Sequence, residues 1–439
     1  MLFKNIKIID GGFTAKSNMY VRTEGPVISY VGEKEPDRID GEEIYDGRGS
    51  LMLPAFYNCH CHVPMTLLRG YGEGLDLQRW LTEKIFPFED KLTAKDVYWS
   101  TKLGAMELIA SGCASISDMY FFIGDMASSL NECGMKANIS HGISSGAETD
   151  IRDKKGYKDT MELDKRVRSG EFGGKPGDGS ESRIKADMGL HAEYTSDENL
   201  VRQVADTAYE AGMIVHVHTS ETKKEHAECK ERHGGRTPVK YFSDCGLFKN
   251  QVQAAHCVYI EEEDVDIMKA AGAYMVHNPS SNMKLGSGIA RVRELNEKGL
   301  NIALGTDGAS SNNNLNMMEE MHMAAMISRG FTLDANAVSA GDILKMATFN
   351  GALSQGRKNC GKIEEGMRAD LIVMDLDRPH MQPDFDTVAN IVFSAQSSDI
   401  VLNMIDGRIV YKNGEYLTID RERVIFEVNK SFERILSEL

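Results

Sequence analysis

Residues 54–62 of this chain read PAFYNCHCH and place two histidines, His60 and His62, one residue apart. The apolar residues 51–53 precede them and are typical of a buried strand, so both imidazoles are expected at its C-terminal tip. Because residues i and i+2 of a strand share a face, the two side chains can converge on one metal ion. A His-x-His pair alone is weak evidence, and its weight depends on partners elsewhere in the chain.

Three later segments repeat the pattern of an apolar strand that ends in ionisable residues. They end in His218 with Glu221, in His256, and in Asp307. Each one alone is more simply explained as a buried histidine bonded to backbone or a carboxylate that caps a helix. Together they predict a site of imidazoles and a carboxylate for one divalent ion, which suits Zn²⁺ or Fe²⁺. Asp307 could then contact the metal and accept a proton from activated water, while Glu221 carries a proton to the substrate.

Residues 51–360 alternate apolar strand-like runs with amphipathic helical runs, the pattern of repeated βα units. The eight predicted strands are 51–60, 114–118, 137–143, 184–190, 214–218, 253–257, 273–277 and 301–304. Before the fifth strand, Thr195 and Glu198 predict a capping box and Gly212 a helix end. Eight such units predict an α/β fold, a (β/α)8 TIM barrel, whose catalytic groups sit at the C-terminal strand ends.

Both chain ends consist of short strand-like pieces separated by turns, and neither has enough strands to close a core alone. We therefore predict one small β-sandwich domain built from residues 1–53 and 361–439, with the barrel catalytic domain over 54–360. Asp406 and Gly407 predict a hairpin turn, and apolar spacing predicts a final helix from Arg421. The Gly- and Ser-rich residues 170–182 predict a surface loop.

Composition favours a cytoplasmic protein with a small-molecule substrate. The formal net charge of -16 argues against binding to nucleic acid. No apolar stretch reaches the ~18 residues of a membrane span, and the N-terminal residues resemble a strand rather than a signal peptide. The eight cysteines contain no Cys-x-x-Cys pair and are expected to be free thiols. A homo-oligomer is compatible with a barrel of this size.

In their order along the chain, these residues resemble the amidohydrolase superfamily. The closest resemblance is to the branch of S-adenosylhomocysteine and methylthioadenosine deaminases, related to the triazine chlorohydrolases, and it covers nearly the whole chain. The segments that carry it are NCHCH at 58–62, MTLLRG at 65–70, WL at 80–81, PFE at 87–89, DMY at 118–120, HTSET at 218–222, HC at 256–257, HNPSSNMKL at 277–285, GTDG at 305–308 and GKIEEG at 361–366.

The resemblance implies a metal-dependent deaminase that releases ammonia from an aminated heteroaromatic ring, most simply an adenine nucleoside. S-adenosylhomocysteine, methylthioadenosine, 5'-deoxyadenosine and adenosine are the expected candidates. The implied metal ligands are His60, His62, His218 and Asp307. Glu221 would protonate the ring nitrogen, while His256 and Asp307 would orient and deprotonate the attacking water.

The resemblance also assigns residues to the substrate. Trp80 would form one wall of the pocket, Glu89 would bind ribose hydroxyls, and His191 would face the substrate. The alternatives without a functional role are that Trp80 is an aromatic residue of the core and that Glu89 is a solvent-exposed charge on a helix. His141 stands where the family has an arginine that helps to hold an amino-acid tail, so His141 itself or Arg152 is expected to serve there.

Several alternatives stay open. Another ring, such as a nucleobase, a pterin or a triazine, and another leaving group, such as chloride, fit the same ligand set. A non-catalytic barrel is disfavoured, because the full ligand set is present. Zn²⁺ is the first choice of metal, with Fe²⁺ or Mn²⁺ as alternatives. The remaining histidines His226, His233, His322 and His380 are interpreted as surface or helix residues without partners.

Overall fold

The computed structural model describes residues 1–75, 77–174 and 181–439. Its strands are Leu2–Ile9 (β1), Ala15–Glu24 (β2), Val27–Gly32 (β3), Ile44–Asp46 (β4), Ser50–Pro54 (β5), Phe56–Cys61 (β6), Cys113–Met119 (β7), Lys136–Ser140 (β8), Ile184–Ala186 (β9), Met188–Leu190 (β10), Val215–Thr219 (β11), Val252–His256 (β12), Tyr274–His277 (β13), Asn301–Leu304 (β14), Leu371–Asp375 (β15), Ile400–Ile405 (β16), Arg408–Lys412 (β17) and Glu415–Tyr416 (β18).

The α-helices follow the same chain order. They are Leu77–Trp80 (α1), Phe86–Glu89 (α2), Ala94–Ala110 (α3), Ile123–Cys133 (α4), Lys155–Arg168 (α5), Glu198–Ala211 (α6), Lys223–Arg232 (α7), Pro238–Asp244 (α8), Glu262–Ala270 (α9), Pro279–Lys284 (α10), Val292–Glu297 (α11), Met317–Thr332 (α12), Ala340–Ala347 (α13), Phe349–Ser354 (α14), Thr387–Phe393 (α15) and Arg421–Glu438 (α16). A π-helical turn, Leu81–Ile85, joins α1 to α2. In the described parts of the chain, no helix has the length and apolarity that crossing a bilayer requires.

Two parallel sheets contain strands from each of the eight predicted regions, although the first half of the region 51–60 lies in another sheet. One runs β6-β7-β8-β9 and the other β10-β11-β12-β13-β14. A parallel bridge between Ile143 and Leu190 links them on one side. On the other side, the Asp307 amide donates to the His60 carbonyl at 2.9 Å. The C-terminal ends of these parallel strands therefore face the same side of the molecule.

The predicted first strand, 51–60, is in fact two strands in different sheets. Residue Ala55 separates them: its amide donates to the Asp370 carbonyl, whereas the Phe56 amide donates to the Gly112 carbonyl. The predicted strand 184–190 is divided in the same way at Asp187, where the chain changes its partner from β8 to β11. Residues 51–57 are an unbroken apolar run, so the sequence does not show that the partner changes at Ala55.

A nine-stranded mixed sheet combines strands from both chain ends. Its order is β18-β17-β16-β15-β5-β1-β2-β3, with β4 paired to β1. The predicted Asp406–Gly407 hairpin joins β16 to β17, with both residues at positive φ (50° and 74°), as a tight hairpin turn requires. The predicted final helix is α16, which buries Val424, Val428 and Ile435.

Two local predictions need comment. Helix α6 ends at Gly212, at φ 67°, as expected, but its N-cap is Asp197, which accepts from the Leu200 amide at 2.9 Å. The predicted Thr195–Glu198 capping box is therefore wrong. Within the predicted loop 170–182, residues 175–180 lie outside the described part of the chain. The eight cysteines are free and buried.

Candidate active site

Four predicted metal ligands meet at the C-terminal ends of the parallel strands. His60 lies in β6 and His62 directly follows it, His218 lies in β11, and Asp307 follows β14. The Nε2 atoms of His60 and His62 lie 3.4 and 3.3 Å from Asp307 Oδ1, and His218 Nε2 lies 3.4 Å from His62 Nε2. His60 is fully buried. The arrangement is a compact cluster of donor atoms, and a possible metal-binding group.

Hydrogen bonds fix the orientation of the three rings. The Nδ1 atoms of His62 and His218 donate to the backbone carbonyls of Met119 and His191, each at 2.6 Å, which leaves the Nε2 lone pairs directed into the cluster. Nδ1 of His60 lies 2.8 Å from His216 Nε2. His60 Nε2 is buried without a hydrogen-bond partner. Burial lowers the pKa of His60 to about 3, so that its ring is neutral near pH 7 and able to bind a cation.

Asp307 is held in one orientation by two serine hydroxyls. Its Oδ2 accepts from Ser281 at 2.5 Å and from Ser311 at 2.7 Å, which turns Oδ1 toward the histidines. Burial alone would raise the pKa of Asp307, but the neighbouring His60 and His62 outweigh it and hold that pKa well below its usual range. The carboxylate is therefore ionised and faces three imidazoles.

Glu221 and His256 lie beside this cluster. His256 Nδ1 is 2.9 Å from Asn282 Oδ1, to which it can donate, and its Nε2 is 3.7 Å from Glu221 Oε2. Ser287 donates to Glu221 Oε1 at 3.1 Å. Burial raises the pKa of Glu221, although the charge of His256 opposes this. A carboxyl group that keeps its proton to higher pH than usual is suited to act as an acid.

A cavity of about 240 Å³ opens above these groups. Its lining includes Trp80, Glu89 and His191, three of the predicted substrate residues. The Tyr120 hydroxyl donates to Glu89 Oε1 at 2.7 Å, and burial raises the pKa of Glu89 to about 7. His191 Nδ1 lies 3.0 Å from the Thr195 hydroxyl, and burial lowers the pKa of His191 to about 4.

The fourth predicted substrate residue, His141, is not part of that lining. Its Nδ1 lies 3.0 Å from Asp159 Oδ2, and its ring packs against Phe121, with centroids 5.5 Å apart. Arg152 pairs with Asp150 and lines a separate cavity. Both expected replacements for the arginine of the family therefore lie outside the cavity lining, and each contacts a nearby carboxylate.

Sequence reasoning missed the residues that orient the cluster. His216 precedes His218 by two positions, so strand periodicity could have placed it on the same face. Ser281, Asn282 and Tyr120 gave no comparable signal, because their contacts depend on distant loops.

The histidines predicted to lack partners also need correction. Three of them face carboxylates: His226 with Glu261 at 3.2 Å, His233 with Glu193 at 2.7 Å, and His380 with Asp399 at 2.8 Å. His322 Nδ1 lies 3.3 Å from the Val392 carbonyl. In addition, Glu193, Cys229 and His233 bring potential ligand atoms within 4.8 Å of one another, but Arg232 already pairs with the Glu193 carboxylate at 2.5 Å. We interpret that cluster as a structural ion pair.

The model of the amidohydrolase family matches residues 51–410 of this chain. The chain belongs to the amidohydrolase family. The predicted resemblance is therefore confirmed, and this amidohydrolase is an enzyme of the metal-dependent hydrolase class with a mixed α/β fold.

Two curated relatives cover the whole amidohydrolase. The 5-methylthioadenosine/S-adenosylhomocysteine deaminase of Thermoanaerobacter pseudethanolicus is 38% identical over 99% of both chains. The 5'-deoxyadenosine deaminase of Methanosarcina mazei is 36% identical over 100% of this chain and 99% of its own.

Two solved structures share the fold. An adenosine deaminase from Xanthomonas campestris with bound zinc has a TM-score of 0.90 at 26% identity and covers 99% of this chain and 98% of its own. The zinc-complexed atrazine chlorohydrolase of Arthrobacter aurescens has a TM-score of 0.87 at 20% identity, covers 98% of this chain and 99% of its own, and supports the fold alone.

Proposed function

We propose that this amidohydrolase is a metal-dependent hydrolytic deaminase that releases ammonia from the purine ring of adenine nucleosides. The observation that carries the proposal is that three histidine Nε2 atoms and one carboxylate oxygen converge at the floor of an open cavity. Beside them lies the buried Glu221, whose pKa is raised. The deaminase names of full-length relatives support the substrate class.

The architecture of the proposal is a (β/α)8 barrel over residues 54–360, formed by the two parallel sheets together. The links between β14 and β6 and between Ile143 and Leu190 support closure of these sheets into one ring. Residues 1–53 and 361–439 would form the small β-sandwich domain, which the shared nine-stranded sheet supports.

The residues present fit one divalent metal ion. His60 Nε2 is a buried atom with no hydrogen-bond partner, and it points at the same space as His62, His218 and Asp307. Three imidazoles and a carboxylate suit Zn²⁺, which we propose as the metal, ahead of Fe²⁺ or Mn²⁺. When bound, such an ion supplies the Lewis acidity that activates water near neutral pH.

The chain's own groups then move the protons. His256 and Asp307 would orient the attacking water and remove its proton. The water oxygen adds to the ring carbon that bears the amino group, and Glu221 passes its proton to the adjacent ring nitrogen. The proton taken from the water is passed to the amino nitrogen, the bond from the ring carbon to that nitrogen breaks, and ammonia leaves. The proton of the added hydroxyl returns to Glu221, so a carbonyl oxygen remains on the ring.

The opposite part of the cavity would hold the sugar. Glu89, fixed by the Tyr120 hydroxyl, presents a carboxylate that can accept hydrogen bonds from two ribose hydroxyls. Trp80 offers an aromatic wall, and His191 faces the cavity next to His218.

The test is ammonia release from zinc-loaded protein, with Asp307→Asn as the blank. The panel contains S-adenosylhomocysteine, methylthioadenosine, 5'-deoxyadenosine, adenosine, guanine, cytosine, a pterin and a chlorotriazine. We expect ammonia from adenine nucleosides and none from the blank. Chloride release from the triazine, with no turnover of any nucleoside, would contradict the proposal and point to a different leaving group.

A further inference from the structure

The outer cavity is apolar where a 5' substituent of a bound nucleoside would extend. Its wall carries Leu77, Leu81, Phe86, Phe121 and Leu285. Phe86 and Phe121 remain 44% and 37% exposed at this rim, so an apolar group bound there would cover apolar surface that now faces water. This rim favours an apolar group over a hydrated one.

The charged groups of the cavity are acidic. Among the described residues that line it, the only charged side chains other than histidine are Glu89, Glu221 and Asp307, and no lysine or arginine is present. A carboxylate that enters this cavity therefore finds no cation to replace its hydration, and it also meets the field of a chain with net charge -16.

Two cations outside the lining, Arg152 and Lys284, already have other partners. Arg152 is bound to a neighbouring carboxylate and lines a separate cavity. Lys284, which adjoins the lining, donates to Asn313 at 2.6 Å. Each would have to leave its partner before it could bind a substrate carboxylate.

We infer that the site selects adenine nucleosides whose 5' substituent is uncharged and apolar, an inference that rests on the proposed function. Methylthioadenosine and 5'-deoxyadenosine are substrates of this kind. S-adenosylhomocysteine carries a zwitterionic amino-acid tail, so it is the disfavoured member of the group. The expected preference in kcat/KM is about tenfold or more, since an unpaired charge is expensive to desolvate.

The experiment is a competition in one vessel between equal concentrations of methylthioadenosine and S-adenosylhomocysteine. The ratio of the two deaminated products gives the kcat/KM ratio independently of metal loading. A neutral alkylthioadenosine as long as the homocysteine tail separates charge from size. We expect that compound to react nearly as well as methylthioadenosine. Preference for S-adenosylhomocysteine, or equal rejection of both long compounds, would overturn the inference.

A matched pair of variants tests the same point by adding charge. Ser144 lines the cavity and is partly exposed, so a longer side chain can be accommodated there. Ser144→Arg should raise the share of S-adenosylhomocysteine product at least severalfold, whereas Ser144→Gln, of similar reach but neutral, should not. An equal response of both variants would contradict a charge effect.

Equilibrium binding separates this inference from the reaction itself. Calorimetry with zinc-loaded Glu221→Gln should show tighter binding of methylthioadenosine than of S-adenosylhomocysteine. If that order holds but the wild-type enzyme releases no ammonia, the proposed reaction fails while the selectivity stands. If ammonia is released and the binding order is reversed, the selectivity fails and the reaction stands.

Discussion

Nδ1 of His60 lies 2.8 Å from Nε2 of His216, and both rings are buried. A hydrogen bond between them fixes the ring of His60 so that its Nε2 points into the ligand cluster. His216 therefore acts as a positioning residue, because it contacts His60, one of the four proposed metal ligands, and is not itself one of them. Groups in such positions tune metal affinity through the orientation and basicity of the ligand.

We expect His216→Ala to weaken zinc binding by about 10–100-fold. Zinc affinity is measured by competition with a chromophoric chelator, which does not depend on activity. His380→Ala, in which a partly exposed histidine next to Asp399 is removed, is the control and should keep its affinity. An affinity of His216→Ala within about twofold of the wild type would show that His60 needs no such support.

Substrate binding should depend on pH through Glu89. Burial raises the pKa of this carboxyl to about 7, so it is ionised only above that pH. The proposed bonds to ribose hydroxyls need the ionised form, and KM for nucleosides should therefore rise as pH falls below about 7. In Glu89→Gln, KM should be higher at pH 8 and nearly constant with pH. A KM of the wild type that does not change between pH 8 and 6 would contradict the sugar assignment.

The chemical step should depend on Glu221 more than on any contact to the sugar. Removing its proton in Glu221→Gln should lower kcat by about 10²–10⁴-fold without changing the zinc content. Ser287→Ala removes only one hydrogen bond to this carboxyl and should cost far less. Because burial raises the pKa of Glu221, the acid form persists above its usual range, and kcat should fall on the alkaline side. Loss of zinc from Glu221→Gln would instead assign this residue to the metal site.

The parts of this site that the sequence predicted are those set by local periodicity. His60 and His62 follow from the two-residue repeat of a strand, and His218 and Asp307 from the ends of apolar runs. The change of sheet at Ala55 was not predictable, since it depends on hydrogen bonds to residues 112 and 370, far along the chain. A continuous apolar run satisfies both sheets equally well.

Side-chain partners were predictable only where the sequence offered one choice. At the start of α6, Thr195 and Asp197 are both acceptable N-caps, and the geometry of the preceding loop selects Asp197. His141 directly follows β8, but Asp159, from helix α5, holds its ring. Such outcomes depend on how helices pack onto strands, which the residue pattern does not encode.

A buried ion pair joins the parallel sheets to the terminal sheet, and its loss should destabilise the whole chain. Lys136, in β8, lies 2.6 Å from Asp370 and 2.7 Å from Asp406, and the Tyr57 hydroxyl also donates to Asp370 at 2.5 Å. Lys136 and Asp370 are only 2% and 1% exposed. Removing the cation leaves the buried Asp370 carboxylate without a cation, which is more costly than losing the attraction alone, whereas Asp406 keeps Arg368 at 2.6 Å.

Lys136→Met should therefore lower the free energy of unfolding in urea by about 3–5 kcal/mol. The matched control is Arg202→Met, which breaks an exposed pair with Glu198 and should change the free energy of unfolding much less. Although burial opposes it, Lys136 holds the pKa of Asp370 below its usual value. This contribution to stability is present above about pH 4 and is lost as pH falls further. Equal costs for the two substitutions would mean that water reaches the Lys136 site and that the sheets are joined by apolar contacts instead.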